Sequence, residues 1–519
     1  MAERTSNNAF VLHFFFFFFV LTLRPSLSSH KPPPLPILPL PSAYQLSWQL
    51  GEMALFLHFG PNTFTDAEWG TGRVDPSVFA PAALDARQWA RAAAEAGFSR
   101  AVLTAKHHDG FCLWPSDYTD YSVKSSPWRG GRADVVRELA EAAREYGIGL
   151  GIYLSPWDRH DSSYGDTVKY NEYYLAQMTE LLTRYGEIKE VWLDGATGDG
   201  AKDMVYLFNC WFKLIHQLQP GAVIFSSSGP GSRWIGNENG VAGSTCWSLL
   251  NRSSDKIHDM NKSYVSEGDP FGHDWVPGEC DISIRPGWFW HESERPKSAI
   301  SLLDIYYKSV GRNCLFILNV PPNSSGLISS EDLQVLHEFS ELRRIIFSHN
   351  LAQDAIVTAS STRGGESNSQ FAPSNVLEEG IYSYWAPEDC KTDWVMFLDL
   401  GQYVTFNVLQ VQEPIQLGQR VIEFHVDHLE DGEWNTIVKA TTIGYKRLLQ
   451  FPAVKTQFLR LVVDKSRADP LISYFGVHLD PYSIIYDTPG SSTHASFNDS
   501  QVILLRKYNN SANSSIAVI

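Results

Sequence analysis

The chain repeats one pattern over about 300 residues: an apolar, β-prone run, then a stretch with helical periodicity, then the next run. Met53-Ala54-Leu55-Phe56-Leu57 is followed by a helix that Asp85 caps and Gly97 stops, with Trp89, Ala93 and Ala96 on one face. The run at 100–104 precedes a helix at 133–146, where Val135, Leu139, Ala142 and Tyr146 recur at helical spacing before Gly147. The run at 149–154 precedes a helix at about 170–185. Val191-Trp192-Leu193 precedes a helix at about 202–219 and a further run at 222–225. Residues 226–296 read as irregular. A helix near 298–310, a strand at 314–319 and a helix near 330–347 close the series. Such β–α repetition makes a parallel barrel or a doubly wound sheet. No Gly-x-Gly-x-x-Gly follows the first strand, which argues against a dinucleotide fold. The expected fold is therefore α/β, a (β/α) barrel of TIM type over residues 43–350, irregular in its later units.

The flanks read differently. Beyond residue 350, short strands at 356–357, 394–398, 408–411, 422–426, 435–437 and 458–463 alternate with turns, the pattern of an antiparallel β-sandwich over 351–485. Residues 486–519 are rich in Ser and Asn and read as a loose tail. At the other end, Arg4 precedes an apolar stretch with a phenylalanine run, then Ser26, Ser28 and Ser29. That is the form of a signal peptide over 1–29, cleaved near Ser29. The proline-rich lead-in 30–42 cannot pack as helix or sheet. The expectation is a secreted, extracellular protein with no membrane partner after cleavage, since no other stretch is long and apolar enough to span a bilayer. Asn-x-Ser/Thr sequons stand at Asn251, Asn261, Asn323, Asn498, Asn509 and Asn513. The six cysteines lack metal-type spacing and suit buried thiols with one or two bridges.

Polar groups gather at the ends of successive strands. His58 follows the first; His107, His108 and Asp109 follow the second; Tyr153 lies at the end of the third; Asp194 ends the fourth, before Gly195. In a barrel these ends form one rim, where the chemistry of the fold is carried. His and Asp could ligate zinc, but His-His-Asp is not a standard ligand spacing, because neighbours on a strand end point apart. A pocket for a polyhydroxylated ligand is the alternative, with Trp69, Trp192 or Trp288 against the apolar face. The net charge of −16 and the 13% aromatic content fit the second reading and argue against nucleic acid. Cleavage of a glycoside would need two carboxyl groups. Asp194, on a strand, suits the nucleophile. Glu238, in Arg233-Trp234-Ile235-Gly236-Asn237-Glu238-Asn239-Gly240, suits the acid, with Glu279 and Glu68 as alternatives.

Together, His58-Phe59-Gly60, Lys106-His107-His108-Asp109-Gly110-Phe111, Val191-Trp192-Leu193-Asp194-Gly195 and Trp234-Ile235-Gly236-Asn237-Glu238 resemble the α-L-fucosidases of glycoside hydrolase family 29. The likeness is to the α-1,3/1,4-specific branch and its plant apoplastic members. It implies a retaining hydrolase acting through a fucosyl-enzyme intermediate on fucosylated oligosaccharides or N-glycans, with no cofactor and no metal. Asp194 matches the nucleophile and Glu238 the acid/base. His58, Glu68, Trp69, His107, His108 and Tyr153 match fucose-contacting positions, and Trp192 lies beside the nucleophile. Arg285 and Trp288, in Ile284-Arg285-Pro286-Gly287-Trp288-Phe289-Trp290, resemble the segment that closes the fucose pocket. The C-terminal part resembles discoidin-like modules. The alternatives are a fucose-binding protein without catalysis and a broad fucosidase that also takes α-1,2 linkages.

Overall fold

In the computed structural model the described residues are 31–196, 204–227, 229–252, 261–366 and 368–483. The expected signal peptide, the tail 486–519 and the sequons at Asn498, Asn509 and Asn513 lie outside them.

Eight parallel strands close a barrel in chain order: β1 (Met53–Leu57), β2 (Arg100–Lys106), β3 (Gly149–Leu154), β4 (Glu190–Trp192), β5 (Val223–Ser226), β6 (Ser232–Trp234), β7 (Gly278–Ser283) and β8 (Cys314–Asn319). Around it run α1 (Ala43–Leu50) before β1, then α2 (Ala86–Glu95), α3 (Val135–Glu145), α4 (Thr167–Arg184) and α5 (Phe208–Leu218). Helices α6 (Ala299–Lys308) and α7 (Ser330–Phe347) precede and follow β8. The helix starts follow from capping: Asp85, Asp134, Asp166, Ser298 and Ser329 each accept backbone N–H groups at an N-terminus.

The irregularity expected after β5 hides two barrel strands. β5 and β6 are joined without a helix. Gly231 makes the tight return possible, since a Cβ there would stand 2.5 Å from the Ile224 nitrogen. β6 is three residues long, and β7 carries Glu279 and Asp281, so neither has an apolar run to mark it. Cys280 on β7 and Cys314 on β8 form a disulfide; Cys112 and Cys246 are buried thiols, and Cys210 and Cys390 are exposed.

Alternate strand residues turn inward. Ala54, Phe56, Val102, Tyr153, Trp192, Phe225, Leu315 and Ile317 fill the lumen, with Trp48 of α1 among them. Below that layer Glu190 accepts from Arg100 at 2.6 Å and from the Trp48 indole at 3.0 Å. The outward residues meet the helices in the main core.

The C-terminal domain is one antiparallel sheet of six strands: β9 (Ile356–Ala359), β10 (Val395–Gln412), β11 (Val421–Glu430), β12 (Glu433–Ala440), β13 (Arg447–Ser466) and β14 (Tyr474–His478). β10 and β13 run 18 and 20 residues and carry shifts of register, so the strands expected at 394–398 and 408–411 are the two ends of β10, and that at 458–463 is part of β13. Their inward faces share a core of their own. Residues 34–42 form neither helix nor strand, and Arg420 and Arg467 donate to the carbonyls of Leu35 and Leu38.

Candidate active site

The strand ends place the site. Tyr153, rising from the lumen, donates its hydroxyl to Asp194 Oδ2 at 2.9 Å, and the Ala196 N–H holds Oδ1 at 2.6 Å. His108 Nε2 faces the same Oδ2 at 3.9 Å, too long for a hydrogen bond. Burial, helped by the Asp194 charge, raises the Tyr153 pKa and keeps the phenol a donor. Asp194 therefore presents an oriented carboxylate at the barrel mouth.

Three histidines line the wall beside it. Asn319, at the end of β8, donates to Ser283 Oγ and to the Trp288 carbonyl. Its Oδ1 is thereby fixed as acceptor for His58 Nδ1 at 2.9 Å. Ser155 donates to the Trp157 carbonyl and so accepts from His108 Nδ1 at 2.8 Å. Both rings are left with Nε2 as an acceptor. Burial outweighs the Asn319 bond and brings the His58 pKa down to about 3; burial likewise lowers His108, and His107 well below its ordinary value. His107 Nδ1 is buried with no partner among the described residues. The pocket thus offers uncharged acceptors suited to ring hydroxyls.

Aromatic rings complete it. Trp288 stands 5.1 Å from the His58 ring, and Phe289 meets His58 and His107 edge-on. Trp69, half exposed, meets His108 and Trp157 edge-on. Trp192 lies lower, stacked on Phe225 at 4.0 Å, as part of the floor.

Glu238 is exposed on the loop after β6, and Trp288 Nε1 donates to its Oε2 at 3.3 Å. Loss of solvent around the carboxyl, with the Asp194 charge nearby, raises its pKa against the pull of that indole bond. A carboxyl with a raised pKa within electrostatic reach of an oriented carboxylate is the pairing that glycoside chemistry needs.

The other two acid candidates are placed elsewhere. Glu279 faces the lumen near its floor, bonded to Ser232, beside Glu190 and fully buried. Glu68 accepts the Trp288 and Phe289 N–H groups and His291, so it holds the turn that presents Trp288. A Cβ on Gly287 would strike Glu68 Oε1 at 2.5 Å, which explains the glycine in this turn. Arg285 corrects the expectation of a sugar contact. It is 2% exposed, and its guanidinium bonds Asp332 at 3.0 Å, Ser329 and the Glu294 carbonyl. The side chain anchors the segment to α7, with each of its three nitrogens already bonded within the protein. Asn319, Ser155, Trp157 and Asp281 were not expected. Asp281 faces inward two residues after Glu279, a period-two signal visible once β7 is recognised as a strand. Among the described residues no group of three or more His, Cys, Asp or Glu side chains is placed to hold a metal ion.

The family model for α-L-fucosidase matches residues 58–344, more than half of the chain. The chain belongs to the α-L-fucosidase family. Arabidopsis thaliana alpha-L-fucosidase 1 is 64% identical over 482 residues, covering 92% of this chain and 95% of the relative. The crystal structure of SpGH29 superposes with a TM-score of 0.83 at 43% identity, covering 86% of this chain and all of that one. A Ruminococcus gnavus GH29 fucosidase in complex with fucose gives a TM-score of 0.81 at 34% identity, covering 87% and 97%. The chain is an α-L-fucosidase, a glycoside hydrolase, and the parallel barrel with its antiparallel β domain is the fold of that family.

Proposed function

We propose that this α-L-fucosidase is secreted and releases α-1,3/1,4-linked L-fucose from the ends of fucosylated glycans with retention of configuration. The observation that carries the reading is Asp194, held by the Tyr153 hydroxyl and the Ala196 N–H, with Glu238 on the loop beside Trp288. In the first step Asp194 attacks the anomeric carbon of fucose while Glu238 gives its proton to the departing glycosidic oxygen. In the second, Glu238 takes a proton from water as that water displaces Asp194 from the sugar. The neutral histidines hold ring hydroxyls, and Trp288 and Phe289 give the 6-methyl group an apolar surface. A sugar with a polar group there would bury it without a partner. Secretion follows the N-terminal segment, and the linkage preference follows the Trp234–Glu238 motif.

The test is hydrolysis of a Lewis-type trisaccharide, 2′-fucosyllactose and an aryl fucoside by wild type and by Glu238→Ala. The reading expects the trisaccharide to be cleaved and 2′-fucosyllactose spared, with azide restoring turnover of the aryl fucoside by the variant. Equal cleavage of both oligosaccharides would overturn the linkage preference. A variant as active as wild type on the trisaccharide would remove Glu238 from the chemistry.

A further inference from the structure

An acid on a loop works only if the loop is held, because a displacement of about 1 Å at a reacting group can cost about 100-fold in rate. Glu238 sits between Trp234, the last residue of β6, and Gly240. Both ends of that segment meet the same residue of the neighbouring strand. The Trp234 indole donates from Nε1 to Asp281 Oδ1 at 3.1 Å, and the Gly240 N–H donates to the Asp281 carbonyl at 3.1 Å. The loop also bonds to itself: Asn237 donates to the carbonyl of Val241, just past Gly240, and accepts from the Asn239 N–H, each at 3.0 Å. Outside, the Lys262 ammonium lies over the Trp234 ring at 5.6 Å. Asp281 is 2% exposed on β7, a rigid element.

We propose that Asp281 is a positioning residue for the acid/base step: it clips both ends of the loop that carries Glu238, by its side chain at Trp234 and by its carbonyl at Gly240. The inference rests on the reading of Glu238 as the acid/base. It adds a third carboxyl to the site, one that works by accepting the indole N–H. Burial, and then the negative charge of Glu238, raise its pKa well above the usual carboxylate range, so ionisation is not what the clip requires. An amide accepts the same bond, and Asp281→Asn keeps the clip where Asp281→Ala loses its side-chain half.

The experiment measures kcat/KM in the full-length protein for two aryl fucosides, one with an acidic phenol as leaving group and one with a weakly acidic phenol. Only the second needs a proton from the acid. Asp281→Ala is expected to lose about 100-fold on the weakly acidic phenol and less than about threefold on the acidic one, as a loss confined to proton donation requires. Asp281→Asn is expected within about threefold of wild type on both. Equal losses on the two substrates, no loss on either, or an Asn variant as impaired as Ala would overturn the clip. Glu238→Ala, run alongside, keeps the two claims apart: absence of the leaving-group effect there refutes the acid/base reading itself. Should Asp281→Ala not fold, Trp234→Phe removes the donor of the same bond. It is expected to lose about tenfold on the weakly acidic phenol alone, and an equal loss on both would again overturn the proposal.

Discussion

The residues of the Lys106-His107-His108-Asp109-Gly110 segment divide their labour by environment. His107 and His108 face the pocket uncharged. Lys106 is fully buried and bonded to Asp158 at 2.9 Å and Gln177 at 3.0 Å, an internal brace under the rim. Asp109 is buried with Oδ2 unpartnered among the described residues, and burial, then the Asp158 charge, push its pKa from 3.8 up to about 7. The unfolded chain releases that proton near 3.8 and the folded chain near 7, so across this interval the folded state holds more protons. The contribution is full below about pH 4 and lost as pH rises to about 7. Thermal melts should show Asp109→Asn flattening the dependence of Tm on pH between those limits; an unchanged slope would contradict this. Asp194 is legible in the sequence because an apolar run delivers a carboxylate to a glycine turn. The division inside the histidine segment is not, because nothing in five adjacent letters says which side chains find partners in α4 and in the loop after β3.

At the scale of elements, the segment after β7 shows where sequence reasoning goes astray. Arg285 stands three residues before Trp288, which does face the pocket, and the two read as one lining segment. The chain bends between them, and Arg285 meets Ser329 and Asp332 at the start of α7. Its partner Asp332 is fully buried. Arg285→Met leaves that carboxylate without its cation and should cost about 3–5 kcal/mol in denaturant unfolding, the usual penalty for breaking a buried pair. A loss below about 1 kcal/mol, the range of exposed pairs, would contradict the anchoring role. The same limit hid β6 and β7. Strand signals rest on apolar runs, and barrel strands that carry lumen carboxyls or only three residues lack them. Strands β3 and β8, whose site residues stand at the ends of apolar runs, and helix α7 begin and end where their patterns say.

At the scale of the molecule, the β domain is bonded into the barrel through a mixed interface. Trp247, Leu249 and Trp275 of the barrel pack with Ile415, Ile422 and Tyr445. Around them Lys446 pairs with Glu52 at 2.5 Å, Tyr445 and Tyr306 donate to the same carboxylate, and Gln419 accepts from the Ser248 N–H. The 242–250 segment, whose Trp247 and Leu249 pack here and whose Ser248 N–H bonds Gln419, follows directly on the Glu238 loop. A fragment of residues 31–350 would expose two tryptophans and leave Glu52 without its cation, with only the Tyr306 hydroxyl bond remaining, so it should bind a hydrophobic dye and melt without a cooperative transition. A cooperatively melting, dye-negative fragment would show that the barrel stands alone. The presence of a second, β-rich region was legible from its turn spacing. The residues that fasten it to the barrel were not, because interface residues such as Trp247 and Trp275 look in sequence like any other core.

The central claim is that Asp194 is the group that attacks fucose. The most direct measurement is to inactivate the enzyme with a 2-deoxy-2-fluoro-fucosyl fluoride, whose intermediate turns over slowly, and to locate the adduct by peptide mass spectrometry. One fluorofucosyl group is expected on the peptide carrying Asp194, and none in Asp194→Asn. An adduct on another carboxyl group, or full hydrolysis of the Lewis-type trisaccharide by Asp194→Asn, would contradict it.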